Sequence, residues 1–117
     1  LEHYFKVEIL APENIKVLRP IAWCCFVLGK LDLAQNYFQL IAVEGFTAND
    51  MINAAHVELC LGNKPKAMEN YVAALRTGEI NLAQFTETLD FDKHFLIANG
   101  VETTEIQLIS DYIRFKM

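Results

Sequence analysis

The chain has 117 residues, of which 53% are hydrophobic and 21% are charged, and its formal net charge is −5. This length supports one folded domain with its own core, and the hydrophobic content excludes an intrinsically disordered chain. The acidic balance argues against nucleic acid as a partner, because that affinity comes mostly from lysine and arginine side chains that neutralise phosphates. We therefore expect a single globular domain that binds no nucleic acid.

The beginning of the chain predicts the end of one helix and the whole of another. Residues 2–10 have a helical pattern that stops before Pro12. Residues 15–28 are apolar on nearly every side, which predicts a helix covered on more than one face. We expect Pro20 to disturb the first part of this helix and Gly29 to end it.

Two stretches of the chain repeat each other: LGKLDLAQNYF occupies positions 28–38, and LGNKPKAMENY occupies positions 61–71. The shared positions are a glycine, an alanine and an aromatic residue, namely Gly29, Ala34 and Phe38, then Gly62, Ala67 and Tyr71. A glycine permits a tight turn, and a small alanine permits close approach of two helices. The repeat therefore predicts two helical hairpins with similar turns.

Capping residues mark where the helices of these hairpins begin. Asp32 is predicted to cap the second helix of the first hairpin, with Gln35 completing a capping box. Thr47 is the candidate N-cap of the next helix. Pro65 suits the first turn of the helix after that, where its missing N–H has no cost.

The last third of the chain follows the same pattern more loosely. Residues 81–99 predict a helix that the LDFD segment breaks in two, with its aspartates acting as a cap or a solvated break. Thr103 or Thr104 then begins a last helix. No alanine follows Gly100 at the spacing of the earlier units, since Glu105 stands there. We interpret this pair as a degenerate repeat or a terminal cap.

This repeat, with Leu-Gly, alanine and aromatic positions in register, resembles the tetratricopeptide repeat. The resemblance implies an all-α fold, a right-handed superhelical array of antiparallel helix hairpins with about six or seven helices. It divides the single domain 1–117 into the second helix of a truncated repeat (1–14), two repeats (15–47 and 48–79) and a degenerate repeat or C-terminal cap (80–117). Because the chain then begins inside the second helix of a repeat, we expect it to be a fragment of a longer protein. That helix lacks its hairpin partner, which would leave Phe5 and Ile9 partly uncovered, so we expect the fragment to self-associate.

The resemblance also implies a binding surface, because the first helix of each pair lines a concave groove in this family. The positions carried over to this chain are Lys16, Arg19, Trp23, Phe26, Val27, Asn49, Ile52, His56 and Leu59. A tryptophan beside an arginine is typical of binding hot spots. The alternative is that Trp23 belongs to the core. The family's carboxylate clamp is not expected, since Trp23 replaces a required asparagine.

Enzymatic and metal chemistry have little support in the sequence. There is no Gly-rich phosphate loop, G-x-S-x-G or H-E-x-x-H motif, so we predict no catalytic residues and no cofactor. His56 and Cys60 share a helix face, but a structural zinc site needs four ligands at short spacings, so no metal is expected. The cysteines form a poor disulfide framework and suit the core of a protein in the reducing cytoplasm; they are Cys24, Cys25 and Cys60.

The prediction for function is a protein–protein interaction or scaffold module that binds a peptide or partner protein in the groove. Two alternatives stay open: a purely structural C-terminal cap of a longer array, and a regulatory segment of a larger enzyme or sensor. No membrane span is expected, because the longest apolar run (21–28) falls far short of the roughly 20 residues required.

Overall fold

The computed structural model describes residues 15–117, apart from the side chain of Ile15, and this part of the chain is helical. Its helices are α1 (Ile15–Val27), α2 (Leu31–Glu44), α3 (Ala48–Cys60), α4 (Lys64–Arg76), α5 (Leu82–Ala98) and α6 (Thr103–Lys116). The all-α prediction is confirmed for this range. The predicted helix before Pro12 and the pair Phe5 and Ile9 lie outside the described residues. Among helices α1 to α6, none has the length and apolar character needed to cross a membrane.

The chain divides between Phe46 and Thr47 into two compact units. In the first unit, α1 packs against α2 as a hairpin. In the second unit, α3 packs against α4 as another hairpin, and α6 packs against both α4 and α5. The first unit thus contains one hairpin, and the second contains the α3–α4 hairpin followed by the α5–α6 pair. The α1–α2 and α3–α4 hairpins hold the two copies of the sequence repeat.

The α1–α2 turn is a Schellman motif, in which a glycine in the left-handed region ends the first helix. Gly29 has a φ of 77° and donates its N–H to the Phe26 carbonyl at 3.0 Å. The Lys30 N–H donates to the Cys25 carbonyl at 2.8 Å. Lys30 is the N-cap of α2 and provides no side-chain cap. The predicted cap at Asp32 is wrong, because this short turn begins α2 before that residue.

The α3–α4 turn repeats this geometry at the second copy of the sequence repeat. Gly62 has a φ of 88° and donates its N–H to the Leu59 carbonyl at 3.1 Å. The Asn63 N–H donates to the Glu58 carbonyl at 2.8 Å. Lys30 and Asn63 also adopt nearly equal backbone angles, −86° and 69° against −89° and 66°. The repeat in sequence is therefore also a repeat in backbone structure.

The α5–α6 turn is a third version of the motif, with one residue more before its second helix. Gly100, with a φ of 96°, donates its N–H to the Ile97 carbonyl at 3.0 Å. Val101 donates to the Leu96 carbonyl at 3.0 Å. The extra residue makes Glu102 the N-cap of α6.

This extra residue changes which side chain faces the neighbouring helix. In the first two pairs, the N–H groups of Ala34 and Ala67 donate to the N-cap carbonyls, and in the third pair Ile106 does so. Ile106 is buried, like both alanines. Isoleucine is larger than the alanine that occupies this position in the other two pairs, and α5 packs less extensively against α6 than the helices of those pairs pack together.

The alanine and aromatic positions of the repeat lie in the core. The buried stripe of α2 is Ala34, Phe38 and Ile41, and the equivalent stripe of α4 is Ala67, Tyr71 and Ala74. Their i, i+4, i+7 spacing places each set on one helix face. The small residues permit close approach of the two helices of a hairpin, and the aromatic fills the adjacent space.

Helix α5 differs from the prediction because it is continuous through the LDFD segment. It begins with a capping box in which Asn81 and Gln84 each accept the backbone N–H of the other, at 2.8 and 2.9 Å. Asp90 pairs with Lys93 on the exposed side at 2.7 Å, while Asp92 is buried. Because both carboxylates have side-chain partners, neither competes for the helix backbone, and the predicted break does not occur.

Helix α1 also continues through a residue predicted to disturb it. Pro20 lies inside α1, which extends without interruption on both sides of it. A proline lacks an N–H, so it removes one hydrogen bond from a helix interior. Burial of the neighbouring Leu18, Ile21 and Ala22 against the core offsets that loss.

Candidate functional site

The residues predicted to line a groove fall into two groups by burial. The buried side chains are Phe26, Ile52, His56 and Leu59. The side chains that keep part or most of their surface are Lys16, Arg19, Trp23, Val27 and Asn49. Phe26, Ile52 and His56 offer almost no surface in this conformation, whereas Leu59 is 4% exposed and lines a hollow beside α6. The second group therefore provides most of the surface that a partner can contact without rearrangement of the fold. The role of either group in binding stays a prediction.

The accessible part of this set is concentrated on one face of α1. Four side chains follow each other at i, i+3, i+7 and i+11 along one stripe of the helix, and they are Lys16, Arg19, Trp23 and Val27. Trp23 is half-buried, and its ring centroid lies 5.4 Å from that of Phe26 at an angle of 51°. Because Phe26 is fully buried, this contact holds one edge of the indole against the core while part of the ring stays accessible.

Helix α3 is different, because most of its equivalent positions belong to the core of the second unit. Asn49 is exposed in the first turn, whereas the groove positions that follow it on α3 are buried. The start of the helix is fixed by a capping box between Thr47 and Asp50 and by Glu79, whose carboxylate accepts the Ala48 N–H at 2.6 Å. Acidic groups stabilise a helix N-terminus, since they complement its positive dipole.

A buried polar network covers His56 and joins α3, α4 and α5. His56 Nδ1 lies 2.6 Å from the Tyr71 hydroxyl, and His56 Nε2 lies 3.0 Å from Asp92 Oδ2. His56 and Tyr71 have no exposed surface, and Asp92 is 6% exposed. Since a carboxylate only accepts, Nε2 carries a proton towards Asp92, and a neutral ring then accepts at Nδ1 from the Tyr71 hydroxyl.

The surroundings of this network keep Tyr71 protonated. Burial raises the pKa of Tyr71 well above its ordinary value. Negative charge on Cys60, which is present only once its thiol ionises at alkaline pH, and negative charge on Asp92 raise it further. Burial also raises the pKa of the Cys60 thiol to about 11. At neutral pH both groups are therefore neutral, so Tyr71 can donate its hydrogen bond and Cys60 is a poor nucleophile.

Asp92 is the functional candidate that sequence reasoning misses. The sequence predicts a helix cap or a solvated break at this position, whereas Asp92 lies inside α5, is buried and is hydrogen-bonded to His56. The spacing does contain a signal, because the buried face of α5 recurs at intervals of three or four residues through Phe85, Leu89, Asp92 and Leu96. An aspartate in line with such apolar residues indicates a buried carboxylate, which needs a hydrogen-bonding partner.

The cysteines differ in their burial. Cys25 is buried and Cys60 is half-buried, but Cys24 is exposed, so the predicted core location is wrong for Cys24. The reason is the face of α1 on which it lies, next to the half-buried Trp23. Within residues 15–117, no three His, Cys, Asp or Glu side chains come together as a group that could hold a metal ion.

Comparison of this chain with protein-family models, with curated proteins and with solved structures finds no match. Its function therefore has to be inferred from its own residues and contacts.

Proposed function

We propose that this chain is a tetratricopeptide-like helical-repeat module that binds a partner protein or peptide along the accessible face of α1. The observation that carries the proposal is the shared turn of the helix pairs. Within residues 15–117, three pairs end their first helix on a left-handed glycine with the same two hydrogen bonds, and in two of them an alanine and an aromatic follow at equal spacing. Repeated helix pairs are typical of modules that present extended surfaces to other proteins.

The face of α1 has the chemistry of a protein-binding surface. Trp23 supplies a large ring with one edge held against Phe26, so little side-chain freedom is lost on binding. Lys16 and Arg19 supply positive charge on a chain whose net charge is −5, and Val27 extends the apolar contact at the end of the helix. A partner segment that offers an apolar side chain beside a carboxylate fits this combination.

The alternative of a purely structural terminal cap is less well supported. A cap must present a polar outer face to water. The last described helix, α6, instead leaves Leu108, Tyr112 and Phe115 exposed. This observation favours a module whose surfaces are used in contacts.

The test immobilises the chain and measures which proteins it retains from an extract of the cells that produce it. A double variant that carries both Trp23→Ala and Arg19→Ala is tested in parallel. Loss of the indole is expected to weaken binding by about 2 kcal/mol, or roughly thirtyfold, as for other aromatic hot spots. The matched control is Val43→Ala, Lys30→Ala, which removes one apolar and one cationic side chain from exposed positions of the same unit. Far-UV circular dichroism checks that each variant keeps its helices.

Three results would overturn the proposal. The first is a retained protein that the Trp23→Ala, Arg19→Ala variant holds as tightly as the original chain does. The second is loss of helical structure in the variant, which would make Trp23 part of the core. The third is retention of no protein by any of the chains, which would favour the structural cap.

A further inference from the structure

Helix α6 carries an exposed apolar stripe. Leu108, Tyr112 and Phe115 lie at i, i+4 and i+7 and are 67%, 46% and 89% exposed. A second face of the same helix is buried in the core and consists of Ile106, Ile109 and Ile113. The helix is therefore apolar on two faces, and the fold of its own unit buries one of them.

The exposed stripe borders two hollows between α4 and α6. One has a volume of about 560 Å³, and its walls include Met68, Leu108 and Phe115. The other has a volume of about 760 Å³, and its walls include Met68 and Val72. Tyr112 lines both hollows. A protruding phenylalanine and apolar hollows that can receive one thus lie side by side on the same face.

The charges around these hollows are opposite in sign. The smaller hollow is lined by one cation and two anions, Lys64, Glu105 and Asp111. The larger hollow is lined by one anion and two cations, Glu69, Arg76 and Lys116. A face with one negative and one positive half, separated by a shared apolar ridge, is complementary to its own copy related by a twofold axis.

We propose that the face formed by α4 and α6 is the interface of a homodimer, with a second copy of this chain as its occupant. The twofold axis crosses α6 at right angles, midway between Glu105 and Lys116. It sets the two α6 helices antiparallel and brings Glu105, at the start of α6 in each copy, beside Lys116, at the end of α6 in the other copy. Phe115 of each copy enters the smaller hollow of the second copy.

The register of α6 supports this arrangement. Lys116 follows Glu105 by about three helical turns, so both lie on the same flank of the stripe. An axis midway between them brings Lys116 of one copy beside Glu105 of the other. Glu105 already pairs with Lys64, and its carboxylate has acceptor sites left for a second cation. Asp111 lies on the opposite flank, where it accepts from Gln107 at 3.0 Å. The axis passes beside it, so the two Asp111 carboxylates face each other, and their repulsion weakens the dimer.

The area involved predicts a weak dimer. A large aromatic side chain buries up to about 200 Å² of accessible surface. Each copy supplies three stripe residues and the walls of its hollows, so the dimer buries on the order of 1,000 Å² in total. Specific interfaces begin at about this size, so we expect a dissociation constant of about 10 µM or more. The net charge of −5 on each copy also opposes association.

Sedimentation equilibrium of the 117-residue chain, between about 1 and 500 µM, tests the proposal. We expect a reversible monomer–dimer equilibrium that Phe115→Asp weakens at least tenfold. Phe91→Asp is the matched control, since Phe91 is 74% exposed on α5 and contributes to neither hollow. Both side chains are on the surface, so the two variants should keep the helical content of the original chain.

A charge exchange tests the orientation of the two copies. Lys116→Glu is expected to weaken the dimer by placing like charges together at both ends of the interface. Mixing the Lys116→Glu chain with a Glu105→Lys chain should restore association between the two. A monomer at every concentration would overturn the proposal, as would a dimer that Phe115→Asp leaves unchanged or a mixture in which no association returns.

Discussion

Replacement of Tyr71 by phenylalanine is the most direct test of the buried network. The change removes one oxygen and keeps the ring that packs edge-on against Phe85 at 5.6 Å. The hydrogen bond of 2.6 Å between the Tyr71 hydroxyl and His56 Nδ1 is then lost in a site with no exposed surface. The packing of the ring is preserved, so the effect isolates the hydrogen bond.

The magnitude follows from the burial of the group that is left behind. An unsatisfied buried polar atom costs about 1–3 kcal/mol, more than the net value of an ordinary hydrogen bond. We therefore expect Tyr71→Phe to lower the free energy of unfolding by about 2 kcal/mol. For a domain of this size that loss corresponds to a fall in Tm of roughly 8 °C.

The assay is urea and thermal unfolding of both proteins, followed by circular dichroism at the same concentration of about 1 µM, where association contributes little. Tyr112→Phe provides the matched control, because it removes the same oxygen from a tyrosine that is 46% exposed. Its expected effect is within about 0.5 kcal/mol of zero, as for other surface substitutions.

A loss below about 0.5 kcal/mol for Tyr71→Phe, or one equal to that of Tyr112→Phe, would refute the reasoning. A double-mutant cycle with Asp92→Asn adds a second criterion. Since Tyr71 and Asp92 bind the same imidazole, their effects should be non-additive by more than about 0.5 kcal/mol. Additive effects would mean that the ring does not couple them.

Three further predictions concern a turn, the alkaline range and a helix contact. Gly62→Ala should lower the free energy of unfolding in urea by about 1–2 kcal/mol, because φ is +88°. The space around an added Cβ is open, so the cost comes from the backbone conformation alone, and Gly62→Asn should cost less. Folding raises the pKa values of Tyr71 and Cys60 above those of the unfolded chain. The stability that these two groups contribute should therefore be constant below about pH 9 and fall above it. The free energy of unfolding of the Tyr71→Phe variant should fall less steeply over the same alkaline range. Ala67→Leu should lower stability by about 1–3 kcal/mol in thermal unfolding through overpacking of the α3–α4 contact, whereas Ala83→Leu on the exposed side of α5 should not.

The helices and their turns were largely readable from the sequence, because they depend on local chemistry. Gly29 and Gly62 end their helices through a backbone conformation that other residues adopt at a cost, and Thr47 caps α3 with its own hydroxyl. The prediction is wrong where two local signals compete. Asp32 has the chemistry of a cap, but the turn at Gly29 begins α2 before it.

The candidate site is harder to predict, because burial depends on neighbours far along the chain. His56 and Trp23 hold equivalent positions in the sequence repeat, yet His56 is fully buried and Trp23 is half-buried. His56 is covered by Tyr71 and Asp92, which lie 15 and 36 residues further along the chain. No local pattern around residue 56 contains that information.

The sequence by itself determined the helical class, the repeat and the turns, since periodic apolar residues, glycines and caps act within a few residues of one another. The tertiary structure decided which polar groups are buried and which apolar face of α6 is left exposed. That division has a physical reason: hydrogen bonds such as that from His56 to Asp92, and burial such as that of Ile106, are made between helices and exist only after the helices have packed.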